Sequence, residues 1–305
     1  MNREIKFIFL LFSLCLGTAA AYGQGPCTLQ TLAGTYAISQ KGSSTIIPDP
    51  SSAPAPYHWS GALAPFVAIG EVTFGNNGVG NGFYWIRLGK LNGGLDPIPV
   101  TVTITELNAD CTGTWEFQST LPGPSPSTYT IEERFIAFDN GREARSIPIA
   151  SGGAPANTWI GKLHRISKPG ELLSTCGPQT ANGSFLMTVE NLVRMPADQN
   201  HSDAIYSDAL LLRLDVSMSG NYTGTLYEKM GPEGNIVLPV WGTMIVSPDC
   251  SYATDLMIQF ENGVISASPI RGVFFEQGKK MFGLNMRNLP WGTQYSYGEG
   301  VRISQ

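Results

Sequence analysis

Along much of this chain apolar and polar residues alternate one for one. "VTVTITEL" from Val100 sets apolar residues against threonine. "YTIEERFIAF" from Tyr129 places Tyr129, Ile131, Glu133, Phe135 and Ala137 on one face, and "LDVSMS" from Leu214 alternates in the same way. Period-two alternation marks strands with one buried face. Asn76-Asn77-Gly78, Asp139-Asn140-Gly141 and Glu261-Asn262-Gly263 fall between such runs, as hairpins require. No window carries a helical stripe, and Glu190 to Met195 would make one short turn at most. Of the 305 residues 35 are glycine, placed at strand ends. Short strands with regular turns predict a sandwich or a closed barrel.

The pattern is written twice. "CTLQTLAGTY" from Cys27 and "CGPQTANGSF" from Cys176 share the form C-x-x-Q-T-x-x-G-[TS]-[YF] at an offset of 149. "GEVTFGNNGVGNG" from Gly70 aligns with "LDVSMSGNYTGT" from Leu214, with Gly80 on Gly224. "ADC" ending at Cys111 aligns with "PDC" ending at Cys250, and "FIAFDNGRE" from Phe135 with "GVFFEQGKK" from Gly272. "GKLHRIS" from Gly161 aligns with "GEGVRIS" from Gly298 at an offset of 137. The offset falls because the first unit has longer loops, chiefly the Pro- and Ser-rich stretch from Lys41 to Pro65. The expected organisation is a first β-barrel unit over 22–168, a linker over 169–174 and a second β-barrel unit over 175–305. Two copies are too few for a solenoid, and each is large enough to own a core. The fold class expected is all-β, two tandem homologous antiparallel β-barrels.

The start of the chain reads as a secretory signal over 1–21. Arg3 and Lys6 precede the apolar run Phe7 to Leu16, and Ala19-Ala20-Ala21 offers a cleavage site. The run is shorter than the ~20 residues that span a bilayer, and no later stretch is apolar and long enough, so no membrane span is expected after cleavage. Leu14 before Cys15 is too large for lipoprotein processing. Losing Arg3, Glu4 and Lys6 takes the formal charge from −5 to −6, which argues against a nucleic-acid partner. Cys27, Cys111, Cys176 and Cys250 remain, and an even count in an exported chain predicts disulfides. Four cysteines allow three pairings. If each unit is self-contained, the repeat selects Cys27 with Cys111 and Cys176 with Cys250. Loops of that length are worth about 4–5 kcal/mol each in chain entropy.

Motifs with chemistry are scarce. "GNNGVGNG" lacks the G-x-G-x-x-G spacing and a following helix, so it reads as a hairpin. His58, His164 and His201 show no ligand spacing, so no metal site and no cofactor is predicted from sequence. No G-x-S-x-G elbow is present. Polar positions recur between units: Glu71 with Asp215, Glu116 with Asp255, Arg134 with Arg271 and Arg165 with Arg302. The expectation is that these face solvent, where cross-strand charge pairs are ordinary. Asn182-Gly-Ser, Asn200-His-Ser and Asn221-Tyr-Thr are glycosylation acceptors only in a host that uses them.

The run C-x-L-x-x-L-x-G-x-Y, then "PFVAIGEVTFGNNGVGNG", then "DCTGT", resembles a module of exported microbial proteins that looks like an allene oxide cyclase-like, or calycin-like, β-barrel. The resemblance covers nearly all of the first unit. It is weaker in the second, where Phe185 replaces Tyr36 and "ALLLRL" replaces "PFVAIG". It implies the fold and carries no active-site residue onto this chain.

Three functional readings follow. The first is a secreted, extracellular or periplasmic binding or structural module without a catalytic motif, so whether the chain is an enzyme stays open. The second is a cyclase-like enzyme closing a hydrophobic small molecule inside a lumen. The third is adhesion or carbohydrate binding through Tyr57, Trp59 and Trp291. If a small apolar ligand binds, the first unit is expected to hold it through Tyr57, Trp59, Tyr84, Trp85 and Arg87. Alternation puts Phe83, Trp85 and Arg87 on one face and Tyr84, Ile86 and Leu88 on the other, so only one set can see the lumen. A fragment of residues 22–168 is expected to fold alone, with a β-type far-UV spectrum and a cooperative melt. Solubility only in the presence of the second unit would place the boundary wrongly.

Overall fold

The computed structural model describes residues 26–44, 64–88, 91–92, 96–121, 127–149, 158–168, 176–195, 204–229, 235–287 and 293–304. The first sheet comprises β1 (Gly34–Ser44), β2 (Ala64–Phe74), β3 (Val79–Leu88), the stub β4 (Leu91–Asn92), β5 (Ile98–Leu107), β6 (Thr112–Leu121), β7 (Ser127–Phe138), β8 (Glu143–Pro148) and β9 (Thr158–Ser167). Its order is β2-β1-β9-β8-β7-β6-β5-β3-β4. Because β2 also pairs with β3, eight strands close into an antiparallel barrel. The second barrel closes through β10 (Gly183–Met195), β11 (Ala204–Val216), β12 (Asn221–Lys229), β13 (Asn235–Val246), β14 (Ser251–Gln259), β15 (Ile265–Phe275), β16 (Lys280–Asn285) and β17 (Thr293–Ser304). The expected all-β tandem of antiparallel barrels is therefore what the chain forms. Among the described residues, closure leaves neither eight-stranded barrel a free edge, and only the two-residue stub β4 hangs outside the ring.

Each barrel is plugged at one end by a single helical turn. In α1 (Leu29–Leu32) the Thr28 hydroxyl accepts from Thr31 N, and Thr28 N donates back to Thr31 Oγ1, both at 3.2 Å. This reciprocal cap fixes a helix too short to persist by propagation. In α2 (Pro178–Ala181) proline opens the turn and Gly177 N donates to Thr180 Oγ1 at 3.1 Å. Disulfides Cys27–Cys111 and Cys176–Cys250, each with Cα atoms 5.0 Å apart, tie the entry of each turn to the neighbouring hairpin, as the repeat predicts.

An arginine of the last strand locks each plug. Arg165 lies over the Tyr36 ring at 5.3 Å, donates to the Tyr36 hydroxyl from Nε at 3.1 Å and Nη2 at 2.7 Å, and reaches Thr31 O. The Tyr36 hydroxyl in turn lies 2.6 Å from Gly141 O. Arg302 lies over Phe185 at 5.2 Å and reaches Thr180 O. Arg165 and Arg302 were expected on the solvent face. They share the parity of Trp159, Gly161 and Leu163 in β9 and of Ser296, Gly298 and Gly300 in β17, and so turn under the barrel instead. Phe185 has no hydroxyl, and Arg302 Nε is buried without a hydrogen-bond partner.

The two cores solve one packing problem in opposite ways. In the first barrel Gly113 pairs with Phe135, whose ring a Cβ at Gly113 would meet at 2.8 Å. At the matching pair of the second barrel Tyr252 faces Gly272, and a Cβ there would collide with the Tyr252 ring. One ring fills the space between adjacent strands, and the glycine opposite makes room for it.

The barrels meet along a seam with a buried apolar centre. Ala37 of β1, Val67 and Ile69 of β2 and Trp85 of β3 pack with Val273 and Phe275 of β15, Phe282 and Leu284 of β16, Met286 just after β16, and Tyr297 of β17 in one buried cluster. The outer row of β2 is thus as apolar as its inner row, which explains the unbroken "PFVAIG". A fragment of residues 22–168 would present Val67, Ile69 and Trp85 to water, so its folding is expected to come with self-association.

The orphaned Arg302 nitrogen yields a substitution test. Phe185→Tyr places a hydroxyl where Tyr36 holds one in the first unit. It is expected to raise the chemical-denaturation stability by about 1 kcal/mol. An unchanged or lowered midpoint would show that the arginine does not use that acceptor.

Candidate functional site

The first barrel carries a carboxylate at the middle of its lumen. Glu133 shares the inner face of β7 with Ile131, Phe135 and Ala137, and it is fully buried. Glu133 Oε1 accepts from Gln40 Nε2 of β1 at 2.8 Å and from Trp159 Nε1 of β9 at 2.5 Å. Glu133 Oε2 accepts from Trp115 Nε1 of β6 at 2.9 Å and from Ser146 Oγ of β8 at 2.7 Å. Four donors from four strands therefore converge on one side chain. Burial pushes the Glu133 pKa above its ordinary value, while the bonds from Ser146, Trp115 and Trp159 pull it back. Three of the donors are N–H groups that cannot accept, so among these partners only the Ser146 hydroxyl could take a hydrogen bond from the protonated acid.

Beneath Glu133, toward the plug, the lumen is filled by rings. Trp115 stacks on Phe135 at 4.2 Å between centroids, and Phe74 and Tyr36 close around them. Above it lies a collar of Phe66, Ala68, Ile86, Ile98 and Trp159, with Phe66 and Trp159 in contact at 4.7 Å. Tyr84 joins the collar and donates to Ser119 Oγ at 2.5 Å. Burial pushes the Tyr84 pKa up, partly offset by the Ser119 bond, so the phenol keeps its proton. At the positions of Gln40, Trp115, Glu133, Ser146 and Trp159 the second barrel has Val189, Thr254, Ile270, Gly283 and Ser296. The carboxylate and both indoles belong to the first barrel alone.

Of the five residues expected at a ligand mouth, the three that are described do not share one face. Tyr57 and Trp59 lie outside the described residues, as do His58, His201 and Trp291. Tyr84 faces the lumen with Ile86. Trp85 and Arg87 face the other way, into the seam, where Trp85 packs in the shared cluster. Arg87 donates from Nη1 to Met286 O at 3.2 Å and from Nη2 to Arg287 O at 2.7 Å. Their register, one step from Tyr84 and Ile86, places them there. Glu133 was visible as an acid on the apolar face of an alternating strand, and its partners were not, because they come from four strands scattered along the chain.

Other seam groups are polar. Tyr297 donates to Ser39 Oγ at 3.2 Å, Lys162 pairs with Glu299, and Lys41 pairs with Glu190. Glu71, expected at the solvent face, is on the outer row of β2 but only 6% exposed, and its Oε2 has no hydrogen-bond partner. Burial, helped by the charge of Asp249 in the second barrel, pushes its pKa up to about 8.

Neither the protein-family models nor the curated proteins contain a match to this sequence. Among solved structures the chain is similar to intact Ap-TbpB with its N and C lobes, at 11% identity and a TM-score of 0.30, over 93% of this chain and 80% of that one. It is similar to the isotype 1 transferrin binding protein B of serogroup B Neisseria meningitidis at 9% identity and a TM-score of 0.31, over 89% and 76%. A protein of unknown function from the DUF3598 family of Nostoc punctiforme matches at 10% identity and a TM-score of 0.25, over 91% and 99%. Likenesses this low support no statement about what this chain does.

The Glu71 carboxyl sets a pH dependence. The folded chain holds a proton there that the unfolded chain gives up near the ordinary 4.5. Its contribution to stability is therefore fully present below about pH 4.5 and is lost as pH rises to about 8, at no more than about 1.4 kcal/mol per pH unit. Urea midpoints taken between about pH 5 and about pH 8.5 are expected to fall more steeply in the wild type than in Glu71→Gln. Parallel profiles would mean that Glu71 is ionised in the fold.

Proposed function

We propose that this chain is a non-enzymatic binding module of an exported protein, and that a small apolar ligand docks at the collar of the first barrel. One observation carries this reading. Glu133 has all its acceptor capacity filled by protein donors, above a lumen filled by Trp115 and Phe135. A carboxylate bonded in this way is not free to move a proton, which favours binding over catalysis at this position. The collar above it offers Phe66, Ile86, Ile98 and Trp159 as apolar contacts, with the Tyr84–Ser119 pair as one hydrogen-bonding group. Kinship to calycin-like barrels fits the plugged, eight-stranded form. Two intramolecular disulfides fit an oxidising compartment, which supports the extracellular or periplasmic location.

The reading is tested by titrating the fluorescent probe 1-anilinonaphthalene-8-sulfonate into the folded full chain. Saturable binding is expected. It should weaken in Ile98→Trp, which fills the collar, and persist in Leu238→Met, a conservative change in the core of the second barrel. Binding that ignores Ile98→Trp, or that never saturates, would remove the collar as the site.

A further inference from the structure

The seam brings together three side chains that sequence spacing keeps apart. Glu143 of β8 and His164 of β9 are direct cross-strand partners on the outer face of the first barrel. Glu276, in the turn after β15, comes from the second barrel. One ligand-type atom of each lies within 4.8 Å of the others, and His164 Nδ1 is 3.7 Å from Glu143 Oε1. We propose that Glu143, His164 and Glu276 form a divalent transition-metal site, of the zinc class, that clips the two barrels together.

Three observations support it. First, the imidazole is held in place. It stacks on Phe275 of the second barrel, with centroids 4.8 Å apart and planes 20° apart, and it is 9% exposed. Second, His164 Nδ1 is turned toward Glu143 Oε1 at 3.7 Å, too long for a hydrogen bond, so the two groups face each other with room for an ion to draw them in. Third, one imidazole with two carboxylates suits a borderline cation that takes mixed nitrogen and oxygen donors, and the two acids balance its charge.

The geometry also states what must move. Bonds of about 2.0–2.2 Å cannot bridge ligand atoms more than ~4 Å apart, so one carboxylate turns inward on binding. Glu276 is the one placed to do so, on a turn and with its side chain 31% exposed. It now pairs with Lys280 at 2.6 Å, and Glu143 with Arg145 at 3.6 Å. Both cations are more than a third exposed and can return to water when the metal takes their partners. Lys280 is thus the built-in competitor. In the second unit the positions of Glu143 and His164 are Lys280 and Val301, so the duplication offers one such site and not two.

The test is calorimetric titration of Zn²⁺ into the full chain at neutral pH, with melting followed in parallel. One saturable equivalent and a raised melting temperature are expected, since a metal held only by the folded state stabilises it by mass action. Glu276→Gln, at a half-exposed turn, should lose both effects and keep the β-type spectrum, and His164→Ala should do the same. Lys280→Met should tighten binding. Ca²⁺, which favours six or more oxygen ligands, should not compete. Absence of saturable binding overturns the proposal, and so does binding that survives in both Glu276→Gln and His164→Ala. A wild-type melting temperature unmoved by bound zinc removes the clip.

Discussion

Closure of an eight-stranded sheet on itself governs this molecule. A closed sheet has no edge to satisfy, so every strand is committed to two neighbours, and a step of one residue moves a side chain from the lumen to the outside. The inner row must then be filled, because no second layer covers it. The first barrel fills it with Trp115, Phe135, Phe74 and Tyr36, and the second with leucines, methionines and Tyr252. The plugs and the Arg165 and Arg302 locks complete the same task at the end of each cylinder.

That requirement also explains the Glu133 network. A carboxyl on an inner row cannot reach water and must find donors from neighbouring strands. Gln40, Trp115, Ser146 and Trp159 supply them, and each holds its own strand in register by doing so. The second barrel reaches closure with Ile270 at that position. The network is therefore an addition to the fold and not a condition of it, which is why the first barrel is the one to examine for a ligand.

Much of the architecture is legible in the residues themselves. Alternation, hairpin signals and the repeated cysteines lead directly to two disulfide-tied barrels, because each depends on neighbours in the chain or on one motif copied to one place. The seam is harder to read. Trp85 and Arg87 look like mouth residues because their chemistry suits a ligand, and only the register of β3 against β2 and β5 assigns them outward. A signal existed in "PFVAIG", where a strand apolar on both faces implies cover on both. The cluster of Glu143, His164 and Glu276 left no trace in spacing, since its members meet only after both barrels have closed and docked.

The reciprocal glycines limit what the two barrels can exchange. Exchanging one strand between the units would set Phe135 against Tyr252, or Gly113 against Gly272, giving a clash or a void at the core. Only a whole hairpin can be exchanged without harm. Each barrel therefore accepts its ring only from its own side of the pair, and a single strand of one cannot stand in for its counterpart in the other.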